Sequence, residues 1–370
     1  MTLILGIETS CDETAAAIVA DGQRVLSHIV ATQHELHERF AGVVPEIASR
    51  AHLDRLDPVV RRTLADANVP IDQIDAIAVG NRPGLIGSLL VGVSSAQTLA
   101  WATGKPLIGI NHVHAHLYAP LLVGKKPSLA PRDPPSTART PRSSTLYPAL
   151  GLVVSGGHTS LYQVHGPTDL RMLGKTLDDA VGEAYDKAAA ILQLGYPGGP
   201  KVDQLATSGD AQLHQLPRSL LGQNSLDFSF SGLKTALLYK VRGQPRGRGS
   251  AAYFERDPND LTSQQRADLA ASFQVAAIET LIVKLQRAMD QLTDSGAAPR
   301  RLIIGGGVAA NSLLRRRALE LGQRCQIPID IPTLPYCVDN AAMIAGLAHE
   351  FLASGSVDSL DLPAIATTAE

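Results

Sequence analysis

Leu3-Ile4-Leu5-Gly6-Ile7-Glu8-Thr9-Ser10-Cys11-Asp12-Glu13-Thr14-Ala15-Ala16-Ala17-Ile18-Val19-Ala20 decides how this chain folds. A short apolar run, residues 3–7, ends in a polar turn carrying Asp12 and Glu13, and a second apolar run follows at once. A third, residues 24–31, comes after Asp21-Gly22. Three runs of strand length separated by turn residues predict an antiparallel meander. The plan returns in the second half. Residues 150–154 end in Ser155-Gly156-Gly157-His158-Thr159, and residues 160–164 turn back on them. Each half later feeds a strand into a glycine loop and a helix. In the first half, residues 74–79 run into Gly80-Asn81-Arg82-Pro83-Gly84 and a helix over 87–102, with another helix at 45–67 before them. In the second, residues 302–304 run into Gly305-Gly306-Gly307 and a helix from Ala309. This weak internal duplication predicts two similar α/β domains facing each other across a cleft.

The size agrees: 370 residues suffice for about two domains with their own cores. With 45% hydrophobic and 18% charged residues the chain is globular, and a net charge of −2 excludes gripping nucleic acid through bulk positive charge. Three scattered cysteines give no disulfide framework, so a reducing, cytoplasmic setting is expected. The first residues lack a basic n-region. Residues 85–102, interrupted by Gly87, Ser88, Ser94, Ser95 and Gln97, read as a buried helix and not a membrane span. Residues 124–146 are rich in Pro, Ser and Arg and read as a flexible surface insertion; residues 355–370 read as a loose tail.

Three constellations carry chemistry. In His112-Val113-His114-Ala115-His116, a helical course puts His112 and His116 on one face as two ligands of one metal, while an extended course lines up all three histidines. Val113 stands where a zinc protease carries its general-base Glu, which removes that reading. A third ligand is wanted and Asp339, in Cys337-Val338-Asp339-Asn340, is a candidate, although on local grounds the N-cap of a helix over 340–351 is its preferred reading. The second constellation is glycine loops: 155–159, Tyr196-Pro197-Gly198-Gly199-Pro200, 305–311 and 83–87. Such turns present backbone N–H groups to anions, and four of them favour a nucleotide in the cleft. Third, residues 176–187 read as an acidic helix with Asp178 and Asp179 in its first turn and a Glu183–Lys187 pair; Asp179, Glu183 and Asp186 then share a stripe that faces solvent or a ligand. Basic clusters at 240–248, 300–301 and 315–317 read as solvated faces, with phosphate contacts to a folded RNA as the other use.

Together these segments resemble the tRNA threonylcarbamoyladenosine synthase family of TsaD type, formerly called O-sialoglycoprotein endopeptidases. The motifs that carry the resemblance run in order from Gly6-Ile7-Glu8-Thr9-Ser10-Cys11-Asp12-Glu13-Thr14 through Asn111-His112 with His116 and Ser155-Gly156-Gly157-His158-Thr159. Gly182-Glu183-Ala184-Tyr185-Asp186-Lys187, residues 196–200, 228–235 and 305–311, and Asp339-Asn340 complete them. The resemblance implies an α/β actin/Hsp70/sugar-kinase-like fold of two ribonuclease-H-like domains around a central cleft. The first domain would span 1–123, completed by a helix at 338–354, and the second 147–337.

The resemblance also implies transfer of a threonylcarbamoyl group from threonylcarbamoyl-AMP to N6 of the adenosine 3′-adjacent to the anticodon, in tRNAs reading codons that begin with A. The ligands of one divalent ion fall on His112, His116 and Asp339, with Fe2+ expected first and Zn2+ or Mg2+ as alternatives. Contacts to the adenylate fall on Val153, Val154, Ser155, Gly156, Gly157, Asp186, Gly199, Asp203 and Asn311. Asp12 and Glu13 line the same cleft as the catalytic pair that positions the amine. Partners implied are tRNA, an inactive paralogue of TsaB type and a small P-loop ATPase of TsaE type, and no membrane. His114 is an extra histidine inside the metal motif. An ATP-dependent small-molecule kinase of the same superfold, or a silent scaffold of a tRNA-modifying assembly, are the alternatives.

Overall fold

The computed structural model describes residues 1–40, 42–124, 147–247 and 253–367. Except for Gly124, the insertion read at 124–146 lies outside the described residues, as does Arg248 of the basic stretch. The meander forms from Leu3–Glu8 (β1), Glu13–Ala20 (β2) and Arg24–Thr32 (β3), with Ile4 opposite Val19 and Ala17 opposite His28. His34–His37 (α1) and Pro45–Ala67 (α2) lead to Ala76–Arg82 (β4), parallel to β1. Ile86–Thr103 (α3) then leads to Leu107–Asn111 (β5), parallel to β4. The sheet order is β3-β2-β1-β4-β5.

The chain repeats this wiring. After His112–Tyr118 (α4), Ala149–Val154 (β6), Thr159–Gly166 (β7) and Asp169–Lys175 (β8) form a second meander. Val181–Ile191 (α5), Gly198–Ala206 (α6), Ser231–Arg242 (α7) and Ser263–Asp294 (α8) then cross to Arg301–Gly305 (β9), which is parallel to β6. Ser312–Cys325 (α9), Ile329–Asp330 (β10) and Ala341–Ala353 (α10) follow. The second order, β8-β7-β6-β9-β10, matches the first strand for strand. The duplication is therefore topological.

All six β1 residues are buried, and β2 is buried from Thr14 onward. The reason is that both faces of this sheet are covered. Leu5, Ile7 and Ile18 pack toward α2 and α3, while Ile4, Ala17 and Val19 pack toward α10. A strand covered twice loses the alternation of a half-exposed one and reads as a continuous apolar run. In the second unit α8 supplies the core helix, opened by a reciprocal capping box between Thr262 and Gln265.

Two readings are corrected here. Helix α3 is not buried all round. Leu89, Val93, Ala96 and Ala100 face inward, but Ile86, Leu90 and Trp101 stand exposed, Trp101 at 74%. The helix lies on an outer layer, so its overall apolarity exceeds what one inward face needs. The tail after Ser354 is also not loose through residue 367. Asp358 accepts a hydrogen bond from Gly109 N and donates its own N–H to Leu107 O, which covers the free edge of β5. Leu362 is buried, Asn81 donates to Pro363 O, and Ala366 O accepts from Gly84 N. Among the described residues no helix is long and apolar enough to cross a membrane.

Candidate metal centre and ligand cleft

The turn from β5 into α4 settles the histidine geometry. Asn111 caps the helix: its Oδ1 accepts from Val113 N at 2.9 Å and His114 N at 3.2 Å. Helix therefore begins at His112, and His112 and His116 fall on one face with ring centroids 4.7 Å apart. His114 points elsewhere and meets Tyr162 edge-on at 5.5 Å.

Asp339 does not cap α10. Asn340 does, with Oδ1 accepting from Met343 N at 2.9 Å and Nδ2 donating to Val338 O at 2.8 Å and Tyr336 O at 3.3 Å. The Asp339 carboxylate is thereby left to the histidines, 3.3 Å from His112 Nε2 and 3.2 Å from His116 Nε2. Asn340 is fully buried and serves three backbone groups. Asn340→Ala is therefore expected to cost about 1–3 kcal/mol, read as a lower urea midpoint at unchanged slope.

Glu8, at the end of β1, is fully buried and accepts from His112 Nδ1 at 2.9 Å, while Ser10 Oγ lies 3.2 Å from the same nitrogen. Burial opposes charge on His112, but Glu8 and Asp339 outweigh it and hold the imidazole well above its ordinary pKa. Burial likewise opposes the charge on Asp339, and His112 with His116 keeps it well below the carboxylate range. Burial, the main cause, pushes the His116 imidazole below its ordinary pKa, with Asp339 opposing it.

The group fits a metal. Two imidazoles and a carboxylate bring one donor atom each within 4.8 Å of one another. Nε2 of His116 is buried with only the Asp339 carboxylate beside it, 3.2 Å away and outside hydrogen-bond geometry, a cost that a cation held between them would relieve. Glu8 on the far nitrogen of His112 is the outer carboxylate that metal-bound histidines ordinarily have. Sequence reading passed over Glu8; its signal was an acid ending an otherwise apolar buried strand.

Glycine-bearing turns surround this centre. Gly305 and Gly306 need their lack of a side chain: a Cβ on Gly305 would lie 2.1 Å from His116 O, and Gly306 sits at φ +98° against Val154 O. Val153 and Val154 are fully buried in β6, paired with Ser160 and Thr159 of β7. Gly156, Gly157 and Gly199 have open space where a Cβ would point. Ser155 closes its turn with His158, whose ring burial pushes down to about 4, with His112 and His116 adding to the shift. Gly305 and Gly306, which abut His116 O and Val154 O, place this loop beside the candidate metal centre.

Helix α5 starts at Val181, later than its acids suggest. Asp178 instead accepts from Phe230 N and Ser231 N at the start of α7, and Asp179 pairs with Lys187 at 2.6 Å and Lys234 at 3.0 Å. The three-acid stripe therefore does not exist, although the Glu183–Lys187 pair does, at 2.8 Å. Asp186 accepts from Gly198 N at 2.7 Å and so anchors the start of α6. Asp203 accepts from Gln274 and from Ser312, tying α6 to α8 and α9. Residues 307–310 form a tight turn, and α9 starts at Ser312, not Ala309, with Asn311 capping it through Leu314 N and donating to Gln274. Asp12 is 6% exposed and its Oδ2 has no partner. Glu13 lies 3.4 Å from His34 Nε2, and burial is the main push of its pKa to about 8. His34 was not among the residues singled out from the sequence.

Part of each basic cluster is paired within the chain, two of the pairs at the surface. Arg301 pairs with Asp330, Arg246 with Glu255 and Arg317 with Glu320, while Arg315 donates to Pro332 O.

Comparison with known proteins places this geometry. The family model described as TsaD, tRNA N6-adenosine threonylcarbamoyltransferase, matches residues 24–133 and 136–346. A relative of that name from Trichlorobacter lovleyi is 46% identical over 365 residues, covering 99% of this chain and 96% of its own. Another from Symbiobacterium thermophilum is 46% identical over 363 residues, covering 98% and 95%. Among solved structures, HypF from T. kodakarensis aligns with TM-score 0.55 at 13% identity over 95% of this chain and 48% of that one. Component A of the Acidaminococcus fermentans (R)-2-hydroxyglutaryl-CoA dehydratase aligns at 0.51 and 12%, over 95% and 100%. At such identities the two structures speak for the fold alone, and they agree with the duplicated α/β architecture.

Proposed function

The chain belongs to the TsaD family of tRNA N6-adenosine threonylcarbamoyltransferases, and from that premise we propose how its cleft performs the transfer. It is an acyltransferase acting on tRNA in threonylcarbamoyladenosine synthesis, not a small-molecule kinase. His112, His116 and Asp339 would hold one divalent ion, Fe2+ first, with Zn2+ or Mg2+ as alternatives. When bound, such an ion acts as Lewis acid and template for the oxygens of threonylcarbamoyl-AMP.

The protein groups do the rest. Glu8 fixes the His112 ring, so that its Nε2 faces Asp339. Residues 153–157, with Gly199, seat the adenylate through backbone groups, and Asp186 meets a ribose hydroxyl with the carboxylate oxygen not used by Gly198. Asp203 and Asn311 hold α6, α8 and α9 together beneath the nucleotide. The acceptor amine is neutral and a weak nucleophile, so orientation and carbonyl polarisation carry more of the barrier than deprotonation. Asp12 and Glu13 accept hydrogen bonds from N6 and aim its lone pair at the carbamoyl carbon. As the N–C bond forms, the C–O bond to phosphate breaks and AMP leaves as an anion, and the proton lost from N6 passes to the Asp12 carboxylate and from there to solvent.

The observation that carries this reading is the metal-ligand triad beside the end of β9, where Gly305 abuts His116 O and Gly306 abuts Val154 O at the entry to the glycine-bearing turn at 155–158. We further propose an inactive paralogous subunit of TsaB type and a P-loop ATPase of TsaE type as partners. The exposed apolar residues Leu53, Ile86, Leu90 and Trp101 on α2 and α3 support the first. A cytoplasmic setting is proposed on the three free cysteines. The test is mass spectrometry of anticodon-loop nucleosides after incubation with tRNA, threonylcarbamoyl-AMP and the partners. Threonylcarbamoylated adenosine is expected; unmodified adenosine under every partner combination would overturn the assignment.

A further inference from the structure

We propose that Asp12, Glu13 and His34 form a second cation site in the cleft, distinct from the His112–His116–Asp339 centre and suited to a divalent ion such as Mn2+. The site goes beyond the transfer reading and stands whether or not the first centre is loaded.

Three segments of the first unit build it: the turn after β1 brings Asp12, the first residue of β2 is Glu13, and α1 brings His34. One donor atom from each lies within 4.8 Å of the others. The Glu13–His34 separation of 3.4 Å is long for a charge-assisted hydrogen bond, which is ordinarily about 2.7–2.9 Å. Donors bound to one small ion at about 2.1 Å each stand about 3 Å apart, so a modest contraction would close the group on a metal. The independent observation is Asp12 itself. Its side chain is more than nine-tenths buried, and Oδ2 has no hydrogen-bond partner. A carboxylate oxygen out of water with no donor is costly.

Cys11, Asp186 and Asp339 act on Glu13, His34 or the neighbouring Tyr196 from the acidic side. His37, His52 and Arg55 stand on the other side, and Arg55 donates to the backbone oxygen of Thr32, the strand partner of Glu13. None of them donates to Asp12 Oδ2. Two carboxylates and one imidazole suit Mn2+ or another borderline divalent ion. The His34 ring meets Tyr196, in the proline–glycine loop of the second unit, edge-on at 5.9 Å. An ion here would sit where the two units face each other, and Asp12 and Glu13 would then meet the acceptor through its open positions.

The experiment counts Mn2+ bound to the full chain by electron paramagnetic resonance. Wild type is expected to take up two ions, and the His112→Ala/His116→Ala protein one. In that background Asp12→Asn and Glu13→Gln should each weaken the remaining ion at least about tenfold. His34→Ala, at a half-exposed ring, repeats the test should a buried carboxylate variant fail to fold. One ion in wild type that disappears with the two histidines would overturn the site. So would a second ion bound equally well by the Asp12, Glu13 and His34 variants. Transfer activity is read separately: two ions with no tRNA modification would count against the proposed function and leave this site standing.

Discussion

His116→Ala is expected to lose the metal at the first centre and, with it, more than about a hundredfold of threonylcarbamoyl transfer. The bound is a lower one, because removing even an outer partner of a metal ligand ordinarily costs about 10–100-fold in affinity or activity. His116 is fully buried; its Nδ1 has no hydrogen-bond partner among the described residues, and its Nε2 faces only the Asp339 carboxylate, at 3.2 Å. In the metal-free protein the ring therefore contributes packing and a contact to Asp339 but carries a desolvation cost at Nδ1. Alanine removes all three at once. The fold should change by only about 1–2 kcal/mol, since the cavity and the lost contact oppose the relieved polar atom. Large loss of activity with small loss of stability is the signature expected of a ligand. Glu8→Gln is the graded companion. It keeps the shape beside His112 but removes the charge that orients the ring, so metal affinity should fall by about 10–100-fold. Metal analysis, thermal melting and the nucleoside assay separate these outcomes. Full transfer by a metal-free His116→Ala protein would sink the proposed role of the ion.

Much of this arrangement was legible because the responsible interactions leave a mark on the residue order. The meander and its repeat show as apolar runs cut by short polar turns, and strands covered on both faces make those runs unusually continuous. The metal pair shows as a four-residue spacing that acquires meaning once Asn111 is seen to start the helix. Other parts were misread where two residues compete for one role. Asp339 and Asn340 both suit an N-cap, and local sequence could not decide which one turns toward the histidines. Asp178 looked like the first turn of its own helix, yet it serves the start of α7, which is 52 residues away. The tail was invisible for a different reason. It is held chiefly by backbone hydrogen bonds to β5 and the 81–84 turn, and these impose no side-chain pattern. His34 was passed over because its partners, Asp12 and Glu13, are brought to it only by the turn after β1 and the crossing into α1.

Gly305→Ala is expected to damage the metal centre from the opposite unit. Gly305 ends β9 in the second sheet, whereas His116 lies on α4, which leaves the first. A Cβ at 305 would stand 2.1 Å from His116 O, 2.6 Å from its carbonyl carbon and 3.1 Å from its Cβ. Those are mostly backbone atoms, and no rotamer change can clear them. Helix α4 is also hemmed in. Asn111 fixes its start, while Val113 and Leu117 pack among Ala149, Val153, Tyr162 and Ile303. The added methyl must therefore move α4 bodily, by about 1 Å, to restore ordinary van der Waals distance. Overpacking of this kind costs about 1–3 kcal/mol. A shift of that size in a positioned ligand can cost about a hundredfold in rate. The control is Gly307→Ala, two residues on, where no atom lies within 4 Å of the new Cβ. Its metal affinity should match wild type, whereas Gly305→Ala should bind metal at least about tenfold more weakly. If Gly305→Ala folds and holds metal as tightly as wild type, the close approach of β9 to α4 is not what sets the His116 position. The clash of the added Cβ would then be absorbed by a shift of β9 alone. The expected result instead makes the second unit a structural support for a ligand that the first unit carries, which gives a physical reason for the two halves to act as one site.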